Sequence, residues 1–103
     1  MGLFVTNVHT AKACKSRIVG TGQVRALSAW AFDAEDVVNV KRLVITAGAG
    51  VIRLTWDGTN PTATLGYYLA ANTNFVLDGT TNCQNFKAIS VAADSVVTIT
   101  LEV

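Results

Sequence analysis

The chain predicts an all-β fold, a compact antiparallel β-sandwich or jelly-roll-like domain of about seven short strands. Three observations predict it. From Val96 to Val103 the residues Val97, Ile99, Leu101 and Val103 alternate with Thr98, Thr100 and Glu102, the period-two pattern of a half-buried strand. Short β-branched and aromatic segments recur along the chain, each bounded by turn-forming residues. No stretch carries a convincing helical period, and there is no internal repeat, linker or low-complexity tail.

Taken in order, Leu3 to Val8 reads as a first strand or an ordered arm. Ala11 to Arg17 is ambiguous, helical by composition but too short to stand alone in water. Ile18 to Gly22 brings two glycines around a turn. Gln23 to Phe32 alternates, with Val24, Ala26, Ser28, Trp30 and Phe32 on one face if extended. A helix over Val24 to Val38 is the alternative, since Ala and Leu favour it; the strand reading fits the β pattern on both sides. Asp33 to Asp36 is an acidic connection, read as a solvated turn because it lacks the glycine and ligand spacing of a calcium loop.

Val37 to Thr46 is the clearest strand of the first half. Ala47 to Gly50 then predicts a small-residue hairpin turn into a strand over Val51 to Asp57. The dipeptides Asp57-Gly58 and Asn60-Pro61 mark a turn-rich connection. Extended segments follow at Leu65 to Leu69 and Phe75 to Leu77, then a turn over Asp78 to Asn82. Cys83 to Val91 is the next strand, with Phe86, Ala88 and Ser90 opposing Lys87, Ile89 and Val91. Ala92 to Ser95 turns the chain into the final strand.

With 103 residues the chain predicts a single domain, 1–103. A chain of this length buries roughly 60–70% of its unfolded surface. Half of the residues are apolar and only 15% are charged, against about 25% in ordinary soluble domains. Low charge leaves Ala, Thr, Val and Ser to cover the surface, as in subunits that bury surface against neighbours. The net charge is +1. The densest basic stretch, Lys12, Lys15 and Arg17, reads as a solvated edge, too small a footprint for nucleic acid. The apolar runs are far shorter than the ~20 residues a membrane helix needs, and the start lacks the pattern of a signal peptide. Gly2 and Thr6 formally fit a myristoylation signal, but Leu3-Phe4-Val5 reads better as a strand.

Chemistry is not visible. His9, the sole histidine, has no placed acidic or nucleophilic companion, and Gly20-Thr21-Gly22 lacks the third glycine and the helix of a dinucleotide loop. Cys14 and Cys83 lack metal-binding spacing. Two buried free thiols are expected, with a disulfide between them the alternative if their strands are adjacent. No catalytic, cofactor or metal residue is assigned. Among the aromatic residues, Trp30, Phe75 and Phe86 are expected between the sheets. Trp56, Tyr67 and Tyr68 flank the turn-rich connection, where an aromatic ring with a polar handle suits a core boundary, a protein interface or a sugar ring.

From Arg42 to Val103 the sequence resembles small virion proteins of tailed bacteriophages. The resemblance is carried by Trp56-Asp57-Gly58-Thr59-Asn60-Pro61-Thr62, Gly66-Tyr67-Tyr68-Leu69, Phe75-Val76-Leu77, Phe86-Lys87-Ala88-Ile89 and the threonine-rich final strand. It implies a compact β-domain used as capsid decoration or cement, head fibre or tail accessory. The implied partners are the major capsid protein or other virion proteins, and the implied location is the virion, most naturally the capsid surface, after assembly in the host cytoplasm. Self-association as a trimer or dimer would cover exposed sheet edges. Residues 1–17 are the candidate arm to a neighbouring subunit, by strand addition. The expected interface residues are Leu3, Phe4, Val5, Trp56, Tyr67 and Tyr68. The rival is a glycan- or receptor-binding module, which requires Trp56, Tyr67 and Tyr68 exposed together on one concave surface.

Overall fold

The computed structural model describes residues 10–103. Its strands are β1 (Ala11–Val19), β2 (Arg25–Ala26), β3 (Arg42–Thr46), β4 (Ile52–Thr55), β5 (Tyr67–Leu69), β6 (Asn74–Asp78), β7 (Lys87–Ser90) and β8 (Ser95–Glu102). They form two four-stranded sheets, ordered β1-β8-β3-β6 and β2-β7-β4-β5. Every pairing between these strands is antiparallel. The pairing is nested: β1 with β8, β2 with β7, β3 with β6 and β4 with β5. Contacts β3·β8 and β4·β7 complete the sheets. A long hairpin folded over on itself in this way is an eight-stranded jelly roll. The all-β sandwich expected from the sequence is the architecture found.

The core lies between the sheets and follows strand alternation. Val97, Ile99 and Leu101 are fully buried on β8, as are Leu43 and Ile45 on β3 and Ile52 on β4. Val103, beyond the strand, is only half-buried. Trp30 and Phe86 fill one end with ring centroids 5.7 Å apart. Buried Ser90 donates its hydroxyl to the carbonyl of Val19 at 2.7 Å, tying the two sheets together.

Several local expectations are corrected. Ala11 to Arg17 is strand, paired along β8 of its own sandwich, so it is no arm; the rest of the proposed arm, with Leu3, Phe4, Val5 and His9, lies outside the described residues. The strand expected over Gln23 to Phe32 survives only as β2. Leu27–Trp30 is a 3-10 turn, which brings buried Leu27 and Trp30, three residues apart, to the same side. A strand would have sent one of the two outward.

Asp33 to Asp36 is not a solvated turn. It leads into α1 (Ala34–Val38), whose first turn holds Glu35 and a buried Asp36, where acidic side chains are favoured by the helix dipole. Val37 and Val38 therefore belong to this helix, and the strand expected from Val37 starts only at Arg42. A second short helix, α2 (Thr80–Gln84), replaces the turn before β7 and takes Cys83 into the core. Both helices are single turns held by tertiary packing, with no period long enough to be seen in sequence.

The largest topological correction concerns Ala47 to Gly50. β3 and β4 do not form a hairpin, because they lie in different sheets. The small residues make a corner between the layers. A Cβ on Gly48 would stand 2.6 Å from the carbonyl oxygen of Val96, and one on Gly50 2.6 Å from that of Ala93. Only glycine fits so near another backbone. Finally, Cys14 and Cys83 are both free, and Cys14 is exposed rather than buried.

Candidate interaction surface

A sandwich has two open sides, and here they differ in chemistry. Stacking of the two sheets sets edge strand β1 over β2 on one side and β6 over β5 on the other.

The β1/β2 side is cationic. Lys15 and Arg17 stand opposite Ile99 and Val97 in the ladder, on the inward-facing positions of β1. Lys15 Nζ donates to the carbonyl of Ala31 at 2.7 Å and lies 5.6 Å from the centroid of the Phe32 ring. Arg17 joins Arg25 of β2 in lining a groove of about 550 Å³ with Thr21, Gln23 and Asp94. Asp94 Oδ1 accepts the Thr21 backbone N–H at 2.9 Å and its hydroxyl at 3.2 Å. Inward-pointing cations on an edge strand oppose its pairing with another chain, since a partner would bury them.

The β5/β6 side is aromatic. Phe75 of β6 reaches across to Tyr67 of β5, with centroids 4.7 Å apart. Trp56, just after β4, stacks on Phe75 at 5.3 Å and meets Tyr67 at 6.2 Å. Beside these rings Leu54, Thr55, Trp56, Asp57, Thr59, Leu65, Gly66 and Tyr67 enclose a groove of about 340 Å³. Leu65 and Tyr67 are each about half exposed (50% and 49%) on its rim, so apolar surface faces solvent there.

The connection from Asp57 to Gly66 is held firmly for a loop. Asp57 Oδ1 accepts the Thr59 backbone N–H at 3.0 Å, and this bond lowers the Asp57 pKa. The Thr62 hydroxyl accepts the N–H of Leu65 at 2.9 Å. Lys87 Nζ donates to Gly58 O at 3.1 Å and Asn60 Oδ1 at 2.9 Å. Arg53 donates to Ala63 O at 3.0 Å and Gly66 O at 2.8 Å. Side chains of the second sheet thus shape the groove wall.

Of the residues singled out in sequence, Trp56 and Tyr67 come together, and Tyr68 does not. Alternation along β5 sends Tyr68 to the outer face, where it packs on the Arg53 guanidinium at 5.4 Å. Phe75, expected between the sheets, takes its place in the cluster. Its role was hidden because it depends on two edge strands meeting across the sandwich, which local sequence does not encode.

Among the described residues no strand pairs with the outer edge of β6. Gly79 donates its backbone N–H to Lys41 O, and Ala47 to Thr73 O, continuing the β3·β6 register beyond its two ends. Antiparallel alternation then directs the backbone groups of Asn74, Val76 and Asp78 away from β3. Asn82 Nδ2 takes the Asp78 carbonyl at 3.1 Å. Along Asn74 and Val76 no lysine, arginine or proline guards the edge, and Val76 is 48% exposed.

Among the described residues no group of three or more His, Cys, Asp or Glu side chains could hold a metal ion. No helix there is long and apolar enough to cross a membrane. No family model matches the chain, and no match was found among curated proteins or solved structures.

Proposed function

We propose that this chain is a non-enzymatic structural protein of a tailed-bacteriophage virion, a decoration or cement protein that binds across major capsid protein subunits and stabilises the head. The observation that carries the reading is the nested eight-stranded pairing, an architecture that recurs in viral coat domains. It joins the resemblance of the segment from Arg42 to Val103 to phage virion proteins. Because one fold serves many functions, the surface matters as much. With 15% charged residues and an open apolar edge, the domain suits burial against neighbours. Cement acts by adding contact area across joints, and many copies in parallel multiply a modest affinity.

Lectin domains also use the jelly roll. A glycan-binding reading would have to work with Trp56 and Tyr67 alone, because Tyr68 faces the other way. The deciding experiment is the copy number of the chain in purified particles, by quantitative mass spectrometry against the major capsid protein. A simple whole-number or one-third ratio supports decoration. A handful of copies per particle overturns it in favour of the neck, tail or receptor-binding apparatus.

A further inference from the structure

We infer that the groove on the β1/β2 side is a binding site for a small hydroxycarboxylate, a molecule with one carboxylate and neighbouring hydroxyl groups, whose charge is held between Arg17 and Arg25. The inference does not rest on the virion reading.

The two arginines come from opposite layers and meet at one opening. Arg17 of β1 stands opposite Val97 in its ladder, and Arg25 of β2 stands opposite Ala88. Val97 and Ala88 are both fully buried, so each arginine occupies an inward-facing position of its own sheet. Both line the same groove of about 550 Å³. Two cations brought to one recess repel each other, and an anion between them relieves the repulsion.

No side chain supplies that anion. Arg42 is ion-paired with Asp78 and Glu102, whereas among the described residues neither Arg17 nor Arg25 forms an ion pair. Arg25 is half-buried. One of its terminal nitrogens donates to the amide oxygen of Gln23 at 2.9 Å, in an exposed bond. Its Nε is buried with no hydrogen-bond partner among the described residues, and a buried donor left unpaired is both uncommon and costly. A carboxylate can take Nε and a terminal nitrogen of one guanidinium together, through two parallel bonds. Gln23 offers a single neutral oxygen instead, so an incoming carboxylate exchanges a weak acceptor for a charged one.

The rest of the groove selects the ligand. Its size suits a small molecule, and its wall is polar at Ser16, Thr21 and Gln23. Asp94, in the same wall, offsets one of the two positive charges and matches the groove to a single negative charge. The backbone N–H and hydroxyl of Thr21 both bond Asp94 Oδ1. Neither uses Oδ2, which can accept from a ligand hydroxyl. A carboxylate flanked by hydroxyl groups answers both charges.

The test titrates D-glucuronate into the full, isotope-labelled chain, read by nuclear magnetic resonance of the backbone amides and the arginine Nε–H groups. Saturable binding with a Kd of about millimolar order or tighter is expected, with shifts at Thr21 and at the Nε–H of Arg25. D-Glucose lacks the carboxylate and acetate lacks the hydroxyls, so each should bind at least about tenfold more weakly. Arg17→Gln and Arg25→Gln should each weaken glucuronate binding by about tenfold or more. Arg25→Lys, which keeps the charge but not the fork, should do the same. Lys12→Gln, on β1 but not lining the groove, should leave binding unchanged. Arg17 is exposed, so its substitution decides the matter if a change at Arg25 unfolds the chain. No saturable shift with glucuronate, equal binding of glucose or acetate, or an affinity indifferent to the arginine substitutions would overturn the inference.

Discussion

The indole of Trp30 donates to the carbonyl of Val97 across the core, at 2.9 Å. This bond fixes the 3-10 turn Leu27–Trp30 against β8, which belongs to the opposite sheet from β2. It explains how an irregular segment fills the end of the sandwich without leaving a buried donor unpaired.

Trp30→Phe keeps an aromatic ring but loses the bond and some volume. A loss of about 1–3 kcal/mol is expected. Trp30→Ala, which opens a cavity beside Phe86, should cost about 3–5 kcal/mol. Urea denaturation followed by circular dichroism measures both, and equal effects of the two substitutions would contradict the packing described.

The two thiols should behave differently. Cys14 is exposed and Cys83 buried, so a maleimide is expected to label one thiol in the native protein and two after unfolding. Burial, with the Asp78 charge adding to it, pushes the Cys83 pKa up from 9.0 to about 11. Above pH 9 the unfolded chain gives up this proton while the folded one retains it. Stability is therefore full below that pH and falls as pH rises towards 11. Cys83→Ala should flatten this part of the stability profile measured by denaturation across alkaline pH.

Ala31 closes the 3-10 turn at φ 56°, in the left-handed region. Its carbonyl accepts Lys15 Nζ, so the conformation is held in place by a contact from β1. Ala31→Gly should be neutral or stabilising by up to about 1 kcal/mol, as strain relief competes with the greater freedom of unfolded glycine. Ala31→Val should destabilise by about 1–2 kcal/mol, because a β-branched side chain resists positive φ. Thermal unfolding distinguishes them, and a stabilising valine would refute the assignment.

Gly48→Ala should destabilise the corner between the sheets by about 1–3 kcal/mol, because the new Cβ meets the Val96 backbone and something must move. Ala49→Gly, its neighbour, should cost less than 1 kcal/mol or so. The comparison of melting temperatures checks whether close approach, rather than turn flexibility, is the reason for glycine.

What the sequence made legible follows from what each signal depends on. The final strand was clear because Val97, Ile99 and Leu101 pack on one side and Thr98 and Thr100 on the other, a pattern carried within the strand itself. The sandwich class followed from many such segments. The corner at Gly48 and Gly50 looks like a hairpin turn in sequence because small residues serve both purposes, and only the place of β3 between β8 and β6, which leaves it no edge for β4, separates them. Leu27 and Trp30 fit a strand alternation on paper until their shared burial demanded a turn. The aromatic cluster was two-thirds visible: Trp56 and Tyr67 lie beside the same loop, whereas Phe75 arrives from an edge strand of the other sheet.

The nested pairing also dictates an order of assembly. β4 and β5 are consecutive in the chain and joined by one well-anchored connection, so their ends meet at a smaller cost in chain entropy than those of the outer pairs. β1 and β8 join residues as far apart as Cys14 and Thr100, 86 positions along the chain. Contacts so distant in sequence form slowly. The sandwich should thus close from its innermost hairpin outward, and the β1·β8 pair, the longest ladder of its sheet, would be the last seam to shut.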